Sequence, residues 1–176
     1  TASVPSGYYL IKDKDGSQSG EGGFYTLYVV QVTNGTLTFT PKGDVPTSEK
    51  KILEGGEEVD ANSASIGDTV NYQITGTLPS NIDEYNTYYY QFTDTLSKGL
   101  TYTPDSLKVT INGTEVAASN YKLTVSDYDK DKGTTITVEF TNLKGIDGVT
   151  IDKDTEVVVT YSATLNEDAV IAGDGN

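Results

Sequence analysis

The sequence predicts an all-β protein whose main domain is an immunoglobulin-like β-sandwich. Three observations support this fold class. Short segments alternate apolar and polar residues with the two-residue period of a half-buried strand. Turn signals separate these segments at intervals of roughly 8–12 residues. No stretch has the 3.6-residue periodicity of an amphipathic helix, and the 13 tyrosines and 18 glycines fit a strand-and-turn composition.

The first part of the chain contains only three predicted strands, which are not enough for a stable domain. Residues 7–12 are a short apolar strand, and further strands are predicted at 24–32 and 36–40. The Asn34-Gly35 pair between the last two is a strong tight-hairpin signal. Because three strands make only a marginal sheet, we assign residues 1–42 to the terminal strands of a preceding domain, and the alternative is a flap that packs on the next domain.

The second part of the chain, residues 43–176, contains enough strands for a complete sandwich. Asn112-Gly113 predicts a second tight hairpin, and the charged tip at 127–133 predicts a third. The order of the strands in the sheets does not follow from the sequence. The predicted strands are Ser48–Leu53, Thr69–Leu78, Thr87–Asp94, Leu100–Thr103, Leu107–Ile111, Tyr121–Ser126, Thr134–Thr141 and Glu156–Leu165.

The charge of the chain excludes several classes of partner. All twelve basic residues are lysines, and 26 acidic residues bring the net charge to −14. Such a protein is repelled by nucleic acids and by anionic membrane surfaces. No apolar run approaches the roughly 20 residues that span a bilayer, so we expect no membrane insertion. The chain begins with Thr, has no Met and has no signal peptide pattern, which indicates a piece of a longer extracellular precursor.

The absence of cysteine and histidine narrows the chemistry further. Disulfides, thiolate metal sites, Ser-His-Asp triads and Cys-His pairs are all excluded. Lysine-based and carboxylate-based chemistry remain. A carboxylate-based hydrolase is disfavoured because no pair of acids stands out from the general acidity, and we predict neither a cofactor nor a metal site.

Lys50 is the first candidate for chemistry. On an extended strand it shares a face with Ile52, while Lys51 faces the other way. If Ile52 points into a core, Lys50 points there too. A buried lysine is costly unless it is neutralised, paired or chemically used.

Asp94 is the second candidate, because Phe92 and Leu96 flank it on the same strand face. Its simplest role is to cap the turn at Ser97–Gly99. The functional alternative is a buried, protonated acid whose pKa is raised by desolvation.

Lys50 and Asp94 together suggest an intramolecular Lys–Asn isopeptide bond. A neutral lysine amine attacks an asparagine side chain on a neighbouring strand while the acid polarises the carbonyl and shuttles protons. Near the end of the chain, the sequence offers Asn166 and Asn176 as acceptors, although asparagine is also a common turn residue.

Two further signals favour structural roles. Residues 127–133 resemble a calcium-binding loop, but the glycine comes one place late and no acid stands at the twelfth position, so an acidic hairpin tip is favoured. The run Tyr88-Tyr89-Tyr90 suggests a platform for sugar stacking. However, Tyr88 and Tyr90 share a strand face with Phe92, which favours core packing.

Several segments, in this order, resemble the backbone (shaft) subunits of sortase-assembled pili of Gram-positive bacteria. Each is a weak motif alone, but the ordered set is specific and covers most of residues 41–176. The matching segments are Gly7–Leu10, Pro41-Lys42, Glu49–Ile52, Ser65–Val70, Phe92–Leu100, Tyr161–Glu167 and Gly175-Asn176.

The resemblance implies a role for each candidate residue. In that family a collagen-adhesin A-type sandwich carries a Lys–Asn isopeptide bond, which gives Lys50 as the nucleophile, Asp94 as the acid catalyst and Asn176 as the favoured acceptor. The family continues past Gly-Asn with another Asn, so an acceptor beyond residue 176 is the alternative. Lys42 matches the pilin-motif lysine that a sortase joins to the next subunit, although Thr40 stands where the family usually has Tyr.

The resemblance also implies the biological role. We expect a structural subunit of a covalently polymerised, cell-wall-anchored extracellular pilus, not an enzyme. Its partners would be neighbouring pilin subunits, a pilus-class sortase and a host surface ligand. The alternative function is a cell-wall adhesin module that binds a host glycan or matrix protein through an exposed aromatic or loop face.

Overall fold

The computed structural model describes residues 4–12, 27–33, 45–59 and 64–169. The chain divides into two compact units, Thr1–Val45 and Pro46–Asn176. The boundary that the sequence predicts, between residues 42 and 43, lies outside the described residues.

The described residues of the first unit include an antiparallel strand pair. Strand β1 (Gly7–Lys12) pairs with β2 (Leu27–Val32), and Gly7 lies opposite Val32. The Ser6 hydroxyl donates a hydrogen bond of 2.7 Å to the Thr33 carbonyl, which ties the two outer ends together. The predicted strand at 36–40 and its Asn34-Gly35 turn lie outside the described residues.

The second unit is a sandwich of two sheets, which confirms the all-β, immunoglobulin-like prediction. The larger sheet has the order β4-β3-β5-β12-β8-β9, with β7 paired to the end of β12, and the smaller sheet has the order β10-β11-β6. The strands are β3 (Ser48–Glu54), β4 (Glu57–Val59), β5 (Thr69–Thr77), β6 (Tyr90–Leu96), β7 (Leu100–Tyr102), β8 (Lys108–Ile111), β9 (Thr114–Glu115), β10 (Lys122–Val125), β11 (Thr134–Phe140) and β12 (Glu156–Leu165).

The core lies between the two sheets and follows from the alternation of the sequence. On β12 and β5 every second residue is buried, because successive strand side chains point to opposite faces. Each fully buried aliphatic or aromatic side chain stabilises the fold by about 1.5–3 kcal/mol. The core side chains that are 1% exposed or less are Ile82, Leu96, Val109, Ile111, Val138, Phe140, Leu143, Val157, Val159 and Ala163.

A glycine in β5 lets the sheets approach closely at one point. A Cβ atom on Gly76 would lie 2.3 Å from the Tyr90 hydroxyl and 2.7 Å from the Phe92 ring. The Tyr90 hydroxyl then donates to the Thr77 carbonyl at 3.1 Å. The aromatic start of β6 therefore packs directly on the backbone of β5.

Strand β6 begins later than the sequence predicts, at Tyr90 instead of Thr87. The Tyr88 N–H donates to the Asn142 side chain at 3.0 Å, and the Tyr88 carbonyl accepts from Leu143 N at 2.7 Å. These backbone groups are therefore bonded to a loop and not to a strand ladder. At its other end β6 extends to Leu96, which lies opposite Thr134 of β11.

The hairpin predicted at Asn112-Gly113 is confirmed. Both residues have positive φ, 49° and 77°, as a two-residue hairpin turn of this kind requires. The β10–β11 hairpin is confirmed too. The short strands β4 and β9 were missed, because two or three residues carry no readable alternation.

Helical structure in the described ranges is limited to short 3₁₀ turns at Ile82–Glu84, Ala118–Asn120 and Leu143–Gly145. Within those ranges no helix is long and apolar enough to cross a bilayer.

Candidate functional site

The structure brings Lys50 and Asp94 together. Lys50 lies on β3 of the larger sheet and Asp94 on β6, one of the two edge strands of the smaller sheet as described. The Lys50 Nζ lies 2.7 Å from the Asp94 Oδ2. The two side chains that the sequence singled out therefore meet across the gap between the sheets.

Two tyrosines form the floor of this site. Tyr72 of β5 and Tyr161 of β12 lie directly opposite each other, and their rings stack with centroids 5.4 Å apart. The Lys50 Nζ lies 4.6 Å from the Tyr72 ring centroid and 5.7 Å from that of Tyr161. The Tyr161 hydroxyl donates a hydrogen bond to Asp94 Oδ2. We call Lys50, Asp94, Tyr72 and Tyr161 the inter-sheet cluster.

Lys50 is less buried than the sequence suggested. Its side chain remains 35% exposed, whereas that of Asp94 is 16% exposed. The cause is the extent of β4, which pairs only with residues Ile52 to Glu54 of β3. Among the strands of the described chain, the Ser48–Lys51 part of β3 thus pairs only with β5, so Lys50 lies at a sheet edge.

Both tyrosines of the cluster are held in the protonated form. Burial raises the pKa of Tyr161, and the hydrogen bond and negative charge of Asp94 raise that pKa further. Burial, followed by the charge of Asp94, also raises the pKa of Tyr72. The Tyr161 hydroxyl is consequently available as a hydrogen-bond donor throughout the neutral pH range.

Lys51 has the same side chain as Lys50 but lies on the opposite face of β3. It points away from the inter-sheet cluster, and its Nζ lies 2.8 Å from Glu49 Oε1. The Lys51 side chain is 24% exposed, but its partner Glu49 is 66% exposed, so water screens this ion pair and it contributes little to stability.

Asn166, one of the two candidate acceptors, lies at the end of β12 in a different environment. Its Nδ2 donates to the Lys98 carbonyl and to Thr101 Oγ1, both at 3.0 Å, and its Oδ1 accepts from Asp168 N at 2.9 Å. Tyr128 contacts the same Lys98 carbonyl at 2.6 Å and the Asp168 carboxylate. We call Asn166, Tyr128 and Asp168 the β12-end cluster.

The strand register separates Asn166 from Lys50. Lys50 lies opposite Ile74, and Ile74 lies opposite Val159 of β12. Asn166 is about seven residues farther along, which corresponds to roughly 23 Å at strand spacing. The structure therefore does not bring Asn166 to the lysine. Lys42 and Asn176 lie outside the described residues.

The two weaker sequence signals have structural explanations. Asp129 accepts hydrogen bonds from the backbone N–H groups of Asp131 and Lys132 at 2.8 and 3.0 Å, as expected of an acidic hairpin tip. Tyr90 is buried and Tyr88 packs against the core, as predicted, while Tyr89 is 56% exposed.

Tyr161 is the functional candidate that the sequence did not reveal. The alternation of β12 placed it on the buried face, but nothing local linked it to Asp94, which is 67 residues away. A tyrosine on the core face of a central strand is a polar group that needs a partner, and this was the available signal. Its partner could be named only after the strand order was known.

The fold and the inter-sheet cluster define an immunoglobulin-like β-sandwich domain with a lysine–carboxylate pair between its sheets. A family model described as the Gram-positive pilin backbone subunit 2, Cna-B-like domain, matches residues 66–176, more than half of the sequence. The chain belongs to this Gram-positive pilin backbone family. Pilin backbone proteins are structural proteins of extracellular surface pili, not enzymes.

Similar proteins agree with this assignment. The chain is 25% identical over 170 residues to the trypsin-resistant surface T6 protein of Streptococcus pyogenes serotype M6, covering 91% of this chain and 30% of that protein. It thus spans less than a third of the length of that relative.

Solved structures share the fold. The major pilin SpaA of Corynebacterium diphtheriae matches with a TM-score of 0.59 and 14% identity, over 94% of this chain and 41% of that chain. The T6 backbone pilin of Streptococcus pyogenes matches with a TM-score of 0.55 and 19% identity, over 85% of this chain and 34% of that chain.

Proposed function

We propose that the chain is part of a pilus backbone subunit that is crosslinked covalently through two of its lysines. Lys50 would form an isopeptide bond within its own domain, with Asp94 as the acid catalyst. Lys42 would be joined to a neighbouring subunit by a pilus-class sortase. The observation that carries the proposal is the 2.7 Å contact between Lys50 Nζ and Asp94 Oδ2 in the gap between the sheets.

The inter-sheet cluster has the amine and the acid that the bond-forming step needs, and an asparagine must supply the acceptor. Transfer of one proton from the lysine ammonium to the Asp94 carboxylate gives a neutral amine beside a neutral acid. The amine then attacks Cγ of an asparagine side chain, the Nζ–Cγ bond forms and the Cγ–Nδ2 bond breaks. The departing nitrogen takes up the proton that the amine gives up and leaves as ammonia, and Asp94 relays that proton.

The aromatic floor favours this chemistry. The Tyr72 and Tyr161 rings cover the apolar side of the lysine amine. Aromatic faces attract the amine group of a lysine, so the two rings help to hold it beside Asp94. Holding amine and acid in contact before the acceptor arrives can replace roughly 7–11 kcal/mol of barrier in well-oriented reactions.

The length of the chain after β12 supports Asn176 as the acceptor. The chain is anchored at Ala169, whose Cα would lie 2.6 Å from a Cβ atom on Gly99. Asn176 is about seven residues later, and an extended chain of that length spans roughly 23–25 Å. This maximum reach is comparable to the roughly 23 Å that separates Lys50 from the end of β12 along the strand direction. An asparagine beyond residue 176 is the alternative acceptor.

The edge of β3 has room for an acceptor strand. In the described part of the chain, Ser48–Lys51 carries a strand partner only on the β5 side. A cleft of ≈ 310 Å³ lies between the start of β3 and the start of β6, lined among others by Ser48 and Thr93, neighbours of the reacting pair. A further strand here would carry its side chains past Lys50.

The proposed role of Lys42 depends on sequence and position. Thr40-Pro41-Lys42 resembles the pilin motif and precedes the sandwich that begins near Pro46. We propose that residues 1–42 close a preceding pilin domain and that residues 43–176 form the isopeptide-forming domain. The solved SpaA structure points to a modular pilus assembly and stabilizing isopeptide bonds, which agrees with this division of roles.

Intact mass of the purified protein tests the intramolecular bond. We expect a mass lower by one ammonia, restored by Lys50→Ala or by Asp94→Ala. Lys51→Ala is the matched control and should keep the deficit, because its side chain faces away from Asp94. Tandem mass spectrometry of a digest then identifies the acceptor. A full unmodified mass in a chain that continues well past Asn176 would rule the bond out.

In vitro polymerisation with a pilus-class sortase tests the second lysine. Lys42→Ala should abolish covalent multimers while leaving the ammonia deficit intact. Multimers that persist in Lys42→Ala would assign the linkage to another lysine.

A further inference from the structure

Two hydrogen-bond donors approach the same oxygen of Asp94. Lys50 Nζ and the Tyr161 hydroxyl both bind Oδ2, whereas Oδ1 receives no hydrogen bond from the described residues. The two oxygens of this carboxyl group are therefore not equivalent. One is held by the protein, and the other is open to a reaction partner.

The hydroxyl that holds Oδ2 is itself held rigidly. Tyr161 is 2% exposed, and β12 is paired along its length with β5 on one side and with β7 and β8 on the other. Its ring stacks on Tyr72 and lies 6.2 Å from the ring of Tyr102. A buried ring between two neighbours has little rotational freedom, so its hydroxyl occupies one position.

We propose that Tyr161 is a positioning residue for the isopeptide reaction, which keeps Asp94 Oδ2 as an acceptor so that Oδ1 carries the acid proton towards the acceptor asparagine. The inference rests on the proposed Lys50–Asn crosslink and adds a residue to it. Tyr161 forms no bond to the reacting atoms and acts only through the orientation of Asp94.

The proposal gives the two oxygens of Asp94 different roles. Lys50 contacts Oδ2, so the proton that it gives up is received by that oxygen first. Rotation about Cβ–Cγ exchanges the two oxygens and moves the protonated one to the open side. An O–H donor fixed at Oδ2 disfavours a proton on that oxygen, because two hydrogens would then face each other. The acid proton is thereby presented on the open side of the carboxyl group, where an acceptor carbonyl can receive it.

Few titratable groups face Asp94, which simplifies a pH experiment. Among the residues that the structure describes, they are Lys50 from β3, Tyr72 from β5 and Tyr161 from β12, and the residue opposite Asp94 on β11 is the apolar Ile136. A change in the pH profile on removal of one hydroxyl can therefore be assigned to that hydroxyl.

Tyr161→Phe tests the proposal because it removes the hydroxyl and keeps the ring. The protein is made in a short pulse of cell-free synthesis, and the loss of ammonia is followed by intact mass over time at several pH values. We expect bond formation to slow by about tenfold or more, as for other small misplacements of a catalytic group. We also expect the shape of the pH profile to change, because the hydroxyl that holds one oxygen of the acid is gone.

Tyr102→Phe is the matched control. Its ring lies beside that of Tyr161, and its buried hydroxyl has no hydrogen-bond partner among the described residues. It should form the bond at the wild-type rate with the wild-type pH profile. A Tyr161→Phe protein that matches wild type in both rate and profile would overturn the proposal.

Two measures keep the outcomes separate. Folding of each variant is measured by thermal unfolding in a Lys50→Ala background, in which no crosslink forms. If Tyr161→Phe does not fold, a fluorinated tyrosine at position 161, which keeps ring and hydroxyl but strengthens the donor, decides instead, and an unchanged rate overturns the proposal. Wild-type protein that never loses ammonia contradicts the proposed function itself, whereas equal rates contradict only the role of Tyr161.

Discussion

The inter-sheet cluster and the β12-end cluster contain similar chemical groups but have different roles. Both contain a tyrosine hydroxyl bonded to an aspartate: Tyr161 with Asp94 in the first, and Tyr128 with Asp168 in the second. The first adds a lysine amine, and the second adds the Asn166 carboxamide. One cluster lies between the sheets, and the other lies at an exposed end of the sandwich.

The two clusters differ in how many of their polar atoms have a hydrogen-bond partner. In the β12-end cluster both polar atoms of the Asn166 amide form hydrogen bonds. Its Nδ2 donates to two acceptors, and its Oδ1 accepts from one donor. In the inter-sheet cluster, Oδ1 of Asp94 receives no hydrogen bond from any described residue. A satisfied amide fixes a turn, whereas an amine beside a half-satisfied acid keeps the capacity to react. Hydrogen-bond satisfaction thus separates the two clusters better than residue type does.

The largest effect is expected from Lys50→Ala. A crosslink between Lys50 and an acceptor near the chain end closes a loop on the order of 100 residues, and loop entropy then predicts a loss of about 5 kcal/mol in the free energy of unfolding. Chemical denaturation measures this loss, with Lys51→Ala as the near-neutral control. If Lys50→Ala unfolds at the wild-type denaturant concentration although the wild type has lost ammonia, the stabilising role of the bond is refuted.

Asn166→Ala should have the next largest effect, and on stability alone. It removes the hydrogen bonds of one amide and leaves their partners unsatisfied, which costs about 1–3 kcal/mol. The ammonia deficit should remain, because Asn166 is not the acceptor in our proposal. Loss of that deficit in a variant that is still folded would reverse the comparison and make Asn166 the acceptor.

High pH should weaken the inter-sheet cluster through Tyr161. Its folded-state pKa is raised above the ordinary 10.0, so its contribution to stability is fully present below pH 10.0 and is lost as pH rises beyond it. The unfolded chain then releases a proton that the folded chain keeps, which lowers the free energy of unfolding by about 1 kcal/mol per pH unit. Urea denaturation at a series of pH values, in the Lys50→Ala background, should show a shallower decline for Tyr161→Phe. Equal slopes would contradict the assignment.

Tyr128→Phe should have the smallest effect. Its hydroxyl contacts the Lys98 carbonyl and Asp168, but the side chain is 41% exposed and water can replace both contacts. We expect a slight fall in melting temperature and an unchanged ammonia deficit, with Tyr161→Phe measured beside it as the contrasting variant. A Tyr128→Phe protein that crosslinks as slowly as Tyr161→Phe would show that the β12-end cluster also controls the reaction.

Local alternation was enough to predict most of the strands and one half of the candidate site. Lys50 shares a strand face with Ile52, and Asp94 shares one with Phe92 and Leu96, so both could be placed on core-facing sides. Strand faces are set by a period of two, which is a local property. The contact between Lys50 and Asp94 agrees with that placement.

The remaining features depend on contacts between distant parts of the chain. Tyr161 joins the site because β12 is next to β5 in the sheet, and strand order is a non-local property. The late start of β6 depends on the Asn142 side chain, 54 residues from the Tyr88 N–H that it binds. The exposure of Lys50 depends on where the short strand β4 ends. None of these can be read from a window of neighbouring residues.

The position of Lys50 within β3 has a mechanical consequence for a fibre that is stretched along its length. The chain enters the sandwich at Pro46, and β3 begins at Ser48. A pull on that end is applied first to the hydrogen bonds of Ser48 and Glu49 with β5, and a bond at Lys50 would take the load directly after them. The chain would then lengthen by only a few residues before the covalent bond carries the force. The rest of the sheet would not be loaded.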